Sequence, residues 1–310
     1  MTVDMRNPLP AYLISAEKIT VPSGAVAKIR RTLAAYQTFD DAVQFFPFHE
    51  FVQAELPELE RLGASVLSKL KTASRFVIIK DLPFVSFELP VCKFLVLALT
   101  TCLGRPRPTY EYSNRLVWEV RPVADLPPGH VPTVTEHARE AEPHTDSSFK
   151  KHPERYVALF AVRPARSGGL STIVDGQTLL KELKKHAEGG ACWSILSSER
   201  FLFRRPTTFT PSQREDVAVW IEAPVISERP LIRYRYDVIE RGFECEAGAD
   251  TRERRQAIKV FRDLLIKVPK ETVGLQAGDL LMVDNHEILH GRTAFEDEKR
   301  LLLRVRMDAQ

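Results

Sequence analysis

GDLLMVDNHEILHGR, the stretch at residues 278–292, predicts the character of the C-terminal half of the chain. A glycine opens a turn, the apolar run LLMV has the composition of a buried strand, and Asp284 with Asn285 favours a polar turn after it. His290 follows that turn by five residues and is a candidate functional residue, with His286 as a competitor nearer the turn. The stretch therefore predicts a core β-strand followed by a segment that carries a functional histidine.

Short extended segments continue this pattern over most of the C-terminal two thirds of the chain. They are rich in β-branched or aromatic residues and are bounded by Gly, Pro, Ser or Asp, as is typical of strands. The predicted strands cover residues 116–120, 156–162, 171–174, 201–203, 217–221, 231–236, 279–283 and 301–307, and two helices are predicted at 178–185 and 251–266. Many short strands with few helices between them favour an antiparallel sandwich or barrel over a parallel sheet.

Helical patterns dominate the first third of the chain. Apolar residues at helical spacing predict a helix at 23–36, and a longer helical pattern at 49–71 is interrupted by Pro57. A strand is predicted at 76–79 and a third helix at 89–103, ended by Gly104. We predict a single domain over residues 1–310, of the α+β, mainly β class. A mostly helical layer at 1–105 would pack on a jelly-roll core, a double-stranded β-helix, at 110–310.

The Pro- and charge-rich stretch at 122–143 predicts a long loop between these strands. Loops of this length are often lids or binding loops. Because this one leads directly into His144, we expect it to form a lid beside that histidine.

Composition and charge exclude several classes of protein. Lys and Arg number 44 against 41 Asp and Glu, and they are scattered, which disfavours a nucleic-acid-binding protein. The four cysteines form no C-x-x-C pair, so neither a zinc ribbon nor a redox motif is predicted. The sequence has no signal-peptide pattern and no apolar run of membrane-spanning length. We therefore expect a cytoplasmic protein that binds neither nucleic acid nor membrane.

His144 and Asp146 form an H-x-D step. On a strand, residues i and i+2 point to the same side, so an imidazole and a carboxylate would face one cavity together. With His290 they would complete two histidines and one carboxylate, the set that holds iron(II) and leaves its opposite face open. The alternatives are a strand-end histidine hydrogen-bonded to a nearby aspartate, and a zinc hydrolase site with the same ligands.

The segment EKRLLLRVRM, residues 298–307, alternates arginine with apolar residues. On a strand Arg304 and Arg306 would point the same way, and so would Arg300 if the strand begins there. Arginines that face the inside of a β-sandwich are costly unless they meet anions, and a dicarboxylate co-substrate would supply one. A row of arginines that faces solvent is the alternative.

The order of these motifs resembles the iron(II)/2-oxoglutarate dioxygenases of the TauD/TfdA and clavaminate synthase-like group. The likeness rests on H-T-D at 144–146, GGLST at 168–172, G-D-x4-D-N-x4-H-G-R at 278–292, and an arginine about ten residues further on. It covers roughly residues 143–307, a little over half of the chain.

The resemblance implies a role for each residue that matches the family pattern. The iron(II) ligands would be His144, Asp146 and His290. The 2-oxoglutarate site would be formed by Arg300, which would pair with the distal carboxylate, and by Ser171, Thr172 and Arg304. Ser171 stands where the family usually has threonine, so Thr172 next to it is the alternative for that position. The candidate substrate contacts are Arg292, Phe149, Ser148, Tyr110 and Arg115. Surface or core packing is the alternative for each of them, and for Arg292 a structural salt bridge is another.

The resemblance also implies a reaction. A single catalytic domain of this kind would use iron(II), 2-oxoglutarate and O2 to hydroxylate or otherwise oxidise a C–H bond, with release of succinate and CO2. The His-Gly-Arg sequence favours an amino acid, an amino-acid-derived metabolite or a small peptide as substrate, as in natural product biosynthesis. The alternatives are a small sulfonate or aryloxy acid, or an inactive jelly-roll binding module. The carboxylate of Asp146 favours hydroxylation over halogenation.

Overall fold

Two groups of helices and two main β-sheets make up the part of the chain that the computed structural model describes, residues 12–16, 18–72, 74–109, 113–123, 133–206, 219–227 and 231–310. The helices are α1 (Ser23–Ala34), α2 (Phe39–Gln44), α3 (Phe48–Glu55), α4 (Pro57–Thr72), α5 (Leu89–Thr101), α6 (Gly176–Lys185), α7 (Gly189–Ser198), α8 (Tyr236–Phe243) and α9 (Arg252–Lys267). The strands are β1 (Tyr12–Ser15), β2 (Phe76–Lys80), β3 (Arg105–Arg107), β4 (Trp118–Val120), β5 (Ala141–His144), β6 (Tyr156–Arg163), β7 (Ser171–Asp175), β8 (Phe201–Arg204), β9 (Trp220–Ala223), β10 (Ile226–Ser227), β11 (Leu231–Ile232), β12 (Glu271–Val273), β13 (Leu280–Asp284), β14 (Ile288–Arg292) and β15 (Leu301–Asp308).

The larger sheet has the strand order β1-β2-β13-β6-β15-β3, with β4 also paired to β15. The strand predicted from LLMV is β13, in the interior of this sheet between β2 and β6. Leu280 and Met282 pack on the N-terminal helices, whereas Leu281 and Val283 pack on the other side of the sheet. Both faces of β13 are therefore buried, which explains its continuous apolar sequence.

The N-terminal helices cover the outer face of the larger sheet. Helix α5 is apolar on nearly every side because it packs against α1, α3 and α4 as well as against β15. Phe94 on α5 meets the rings of Phe46 and Phe51 edge-on. The predicted helices of this region are present, and Pro57 begins α4 at a position where its missing N–H has no cost. Among the described residues, no helix has both the length and the hydropathy needed to span a membrane.

The smaller sheet has the order β12-β7-β14-β5 and faces the larger one. Ile173 on β7 and Ile288 on β14 pack with residues of the larger sheet, whereas their neighbours Val174 and Leu289 pack with helices α6 to α9 on the outside. Side chains alternate along a strand, so every second residue of β7 and β14 points into the space between the sheets. This alternation decides which polar residues enter the site.

Several local predictions are corrected by the structure. The predicted strand at 231–236 ends at Ile232, and helix α8 begins at Tyr236, because Val238, Ile239 and Phe243 form a helical apolar face on the outer cluster. Helices α2 and α7 were not predicted. The segment after the polar turn of residues 285–287 is itself a strand, β14. The predicted loop at 122–143 ends in β5, and its residues 124–132 lie outside the described part of the chain.

Candidate metal centre and its two cavities

Three candidate metal ligands meet where β5 and β14 run side by side. His144 ends β5 and lies directly opposite His290 on β14 in the antiparallel register, with ring centroids 4.9 Å apart. Asp146 follows two residues later. One ligand atom from each of the three lies within 4.8 Å of the others, and all three side chains are buried. Among the described residues this is the cluster whose composition and spacing suit a metal ion.

The neighbours of the two histidines fix what each ring can do. The Nδ1–H of His144 donates to the Glu142 carbonyl at 2.8 Å, which leaves Nε2 as the free ring nitrogen, 3.7 Å from Asp146 Oδ1. Burial and the neighbouring His144 lower the pKa of His290 to about 3, so its imidazole stays neutral as a metal ligand must be. His286, the competing candidate, instead donates from Nε2 to the Pro153 carbonyl at 3.0 Å, away from the cluster.

Asp146 is held by two buried arginines. Arg304 Nη1 lies 3.2 Å from Asp146 Oδ2, and Arg306 Nε lies 3.0 Å from the same oxygen. Burial by itself would raise the pKa of Asp146, but the charges of Arg304 and Arg306 hold it well below its usual value. Both arginines therefore face the inside of the sandwich, as one reading of the C-terminal segment predicts, and the solvent-facing alternative is wrong for them.

Asn285 fixes the backbone that carries Asp146. Its Oδ1 accepts from the Asp146 N–H at 2.7 Å, and its Nδ2 donates to the carbonyls of Asp146 and Glu154 at 3.1 and 2.9 Å. The next residue, Ser147, has φ of 58°, a strained value for a residue with a side chain. Sequence reasoning interpreted Asn285 only as a turn residue and missed this contact; the one signal was its place directly after a core strand.

A cavity of about 440 Å³, a volume that includes space open to solvent, lies beside the cluster, between the two sheets. It is called the arginine cavity here, and its lining includes His144, Ser171, His290, Arg292, Arg300 and Arg304. Three of its guanidinium groups carry a buried N–H with no hydrogen-bond partner among the described residues, namely Arg292 Nε, Arg300 Nη1 and Arg304 Nη2. Burial lowers the pKa of Arg300 to about 10 and that of Arg304 to about 9, and neighbouring arginines add to this. Buried cationic groups without partners favour the binding of an anion in this cavity.

Strand alternation separates Ser171 from Thr172. Ser171 is buried and lines the arginine cavity, on the same face of β7 as Ile173. Thr172 points the other way, and its Oγ1 lies behind Gly291, 2.7 Å from where a Cβ of that glycine would be. The hydroxyl that can reach a ligand in this cavity therefore belongs to Ser171.

The candidate substrate contacts are not brought together at the cluster. Phe149 packs in the hydrophobic cluster of the C-terminal helices. The carbonyl of Ser148 accepts from Arg233 Nη1 at 2.7 Å. Arg115 lies 5.3 Å from the Trp118 ring and lines a different cavity. Tyr110 lies outside the described residues, and Arg292, which does line the arginine cavity, donates to backbone carbonyls.

A second cavity of about 740 Å³ also includes His144 in its lining. It is called the mixed-charge cavity here, since its walls carry His137, Arg139, Glu140, Glu142, Arg235, Asp237 and Arg241. Arg235 and Asp237 form a two-pronged ion pair with distances of 2.8 and 3.0 Å. Sequence reasoning missed Arg235 and Asp237 because the segment around residue 235 was interpreted as a strand.

Gly291 is needed where the two histidine strands approach each other. A Cβ at this position would lie 2.5 Å from the Ala141 carbonyl oxygen, as well as 2.7 Å from Thr172 Oγ1. We expect Gly291→Ala to lower the free energy of unfolding by about 2–4 kcal/mol, because backbone has to move. Urea unfolding measures the loss. Gly190→Ala, on helix α7 with open space around the new methyl, is the control and should lose nothing. Equal midpoints for both variants would contradict this packing.

Comparison with known proteins agrees with this geometry. A family model, taurine catabolism dioxygenase TauD, TfdA family, matches residues 44–306. The chain belongs to this family. The resemblance named from the motifs is confirmed, and the family match reaches about a hundred residues further toward the N-terminus than those motifs do.

Individual members and structures extend the family comparison. Human gamma-butyrobetaine dioxygenase and its Pongo abelii counterpart are each 31% identical over 166 residues, which is 49% of this chain but only 39% of the relative's length. The non-heme iron oxygenase OrfP, solved with Fe, succinate and (3R,4R)-dihydroxy-L-Arg, superimposes with a TM-score of 0.67 at 17% identity, covering 97% of this chain and 95% of that one. Asparagine oxygenase, solved with Fe(II), 2S,3S-3-hydroxyasparagine and succinate, gives 0.64 at 17% identity, covering 96% and 93%. At these identities the structures show a shared fold.

Proposed function

We propose that this chain is an Fe(II)/2-oxoglutarate-dependent oxygenase that oxidises a C–H bond of a small amino-acid-like substrate. One observation carries the proposal: the cluster of His144, Asp146 and His290 lies beside a cavity lined by three buried arginines, each with an N–H that has no partner among the described residues. A metal alone would not require those arginines, and a dicarboxylate alone would not require the histidines. The two features together match a metal and an anionic co-substrate that act side by side.

The residues present fit both groups. His144 offers Nε2 and His290 offers an imidazole nitrogen as ligands, and Asp146 is an ionised oxygen donor. Arg300 would take the distal carboxylate of 2-oxoglutarate in a forked hydrogen bond, with the Ser171 hydroxyl beside it. When bound, iron(II) and 2-oxoglutarate supply the means to activate O2 and oxidise a C–H bond, with succinate and CO2 as products.

The protein's own residues position these groups and shield them. Arg304 and Arg306 keep Asp146 ionised, while Asn285 fixes its backbone. The arginine cavity is lined mostly by buried side chains of both sheets, so the charges meet in a region of low dielectric constant, where each ionic contact is strengthened.

We infer that the two facing sheets form a jelly-roll, a double-stranded β-helix, within a single catalytic domain spanning residues 1–310. The OrfP and asparagine oxygenase structures support this, because each superimposes over nearly the whole chain. The unpaired Cys92, Cys102, Cys192 and Cys245 fit a reducing location, and we propose the cytoplasm.

The mixed-charge cavity favours an amino acid, an amino-acid-derived metabolite or a small peptide as substrate. Its walls carry both arginine and carboxylate side chains, which suit a zwitterion better than a small sulfonate or aryloxy acid with one anionic group. Each of the two solved structures names a hydroxylated amino acid beside iron and succinate, and natural product biosynthesis is a setting for such a product. The complete set of ligands and arginines argues against an inactive binding module.

Anaerobic addition of iron(II) and 2-oxoglutarate tests the proposal directly. We expect a weak visible charge-transfer band that requires both additions. Succinate release should then depend on one member of a panel of amino acids, cyclic dipeptides and other small acids, and mass spectrometry should show a product heavier by one oxygen. A protein that binds neither iron(II) nor 2-oxoglutarate under these conditions contradicts the proposal. Release stimulated only by sulfonates would favour the alternative substrate class.

A further inference from the structure

Arg292 links β14, the strand that carries His290, to the chain segment that precedes His144. It stands on β14, two residues beyond the second histidine and on the same face. Its Nη1 donates to the Val134 carbonyl at 3.0 Å, and its Nη2 donates to the carbonyls of His137 and Arg139 at 2.8 and 2.7 Å. These three acceptors belong to residues 133–143, a segment called the strap here.

The strap forms walls of both cavities. Val134 lines the arginine cavity and the mixed-charge cavity, and Thr135 lines the first of them. His137 and Arg139 line the second. The three carbonyls bound by Arg292 therefore belong to residues whose placement shapes the space on either side of the metal cluster.

The partners of Arg292 are unusual for a buried cation. Arg292 is 7% exposed, and its partners among the described residues are the three carbonyl groups and, at 3.5 Å, Nδ1 of His137, with no carboxylate within ion-pair distance. The Phe295 ring packs 5.0 Å from the guanidinium carbon, and the Phe295 N–H donates to the Ala138 carbonyl at 3.0 Å. The charged guanidinium of Arg292 therefore donates strong hydrogen bonds to carbonyl groups of the strap.

We propose that Arg292 is a positioning residue that holds the strap closed as the shared wall of the two cavities and so restricts access to the metal cluster. This positioning role replaces the interpretation of Arg292 as a substrate contact or as part of a salt bridge. Removal of the guanidinium would leave three carbonyls without their donor, and the strap would open more often. The part that concerns access to the metal rests on the proposed function; the part that concerns strap closure does not.

Hydrogen exchange on the protein without added ligands tests strap closure. In Arg292→Met, amides of residues 133–143 should exchange roughly tenfold faster or more, the effect of losing hydrogen bonds to a charged group. Arg292→Lys keeps the charge but lacks the fork, and should fall between wild type and Arg292→Met. Peptides of β6 should be unchanged. Arg163→Met is the control, since Arg163 is exposed and donates to the Lys299 carbonyl outside the strap.

Wild-type exchange of the strap in Arg292→Met would overturn the proposal, whatever the protein's activity. If that variant fails to fold, Arg292→Lys must show the faster exchange for the proposal to stand. A second readout uses iron(II) and 2-oxoglutarate in air without substrate, where succinate release should rise several-fold in both variants. Faster exchange with unchanged release would refute control of access to the metal. If the wild type itself binds no 2-oxoglutarate, the proposed function fails while the exchange result still decides strap closure.

Discussion

Replacement of Asp146 by asparagine should abolish iron-dependent turnover, with a loss on the order of 10³-fold or more. The asparagine keeps the shape of the side chain but removes the one ionised ligand of the cluster. It also leaves Arg304 and Arg306 buried without their carboxylate, so the free energy of unfolding should fall by about 3–5 kcal/mol. Succinate release measures the loss of turnover, thermal unfolding measures the loss of stability, and anaerobic iron(II) titration measures the weaker iron(II) binding that we expect to accompany them.

Asp279→Asn separates the loss of a ligand from the loss of a buried charge. Asp279 is fully buried and forms an ion pair with Lys80, on the larger sheet and outside the metal cluster. This control should lose stability and keep iron(II) affinity, measured at a temperature where both variants are folded. Wild-type turnover in Asp146→Asn would end the assignment of Asp146 as a ligand.

Replacement of Arg300 by methionine should raise the KM for 2-oxoglutarate by about 10²- to 10³-fold, because two charge-assisted hydrogen bonds to a carboxylate are lost. The same change should leave the ligand-free protein as stable as wild type, or more stable. Arg300 is 4% exposed and one of its N–H groups lacks a partner among the described residues, so the ligand-free fold bears the cost of burying it. A residue whose role is to bind a ligand is expected to lower the stability of the ligand-free fold in this way.

Steady-state succinate release at varied 2-oxoglutarate measures this KM, and urea unfolding without ligand measures stability. Arg300→Lys should recover part of the affinity, since it restores the charge but not the fork. Arg163→Met, the exposed arginine at the end of β6, should change neither quantity. An Arg300→Met enzyme with wild-type KM, or one that unfolds several kcal/mol more easily, would contradict the role given to this residue.

Elements whose signal is local follow from the sequence alone. LLMV predicted β13 because both faces of that strand are buried, and the spacing of apolar residues predicted α1 and α9. Motif order also led to the family, and through it to His144, Asp146 and His290 as candidate metal ligands, since their types and spacing suit the chemistry of a metal site.

The way in which distant segments face one another depends on the tertiary structure. Strand alternation places Ser171 in the lining of the arginine cavity and points Thr172 away from it. The sequence around these two residues does not show which of the two hydroxyls faces the cavity. Asn285 supports Asp146 across 139 positions, and Arg292 binds the strap across more than 150. Such contacts depend on strand register and on the packing of one sheet against another. The local sequence pattern encodes neither strand register nor sheet packing, because both depend on the balance of all the contacts in the core.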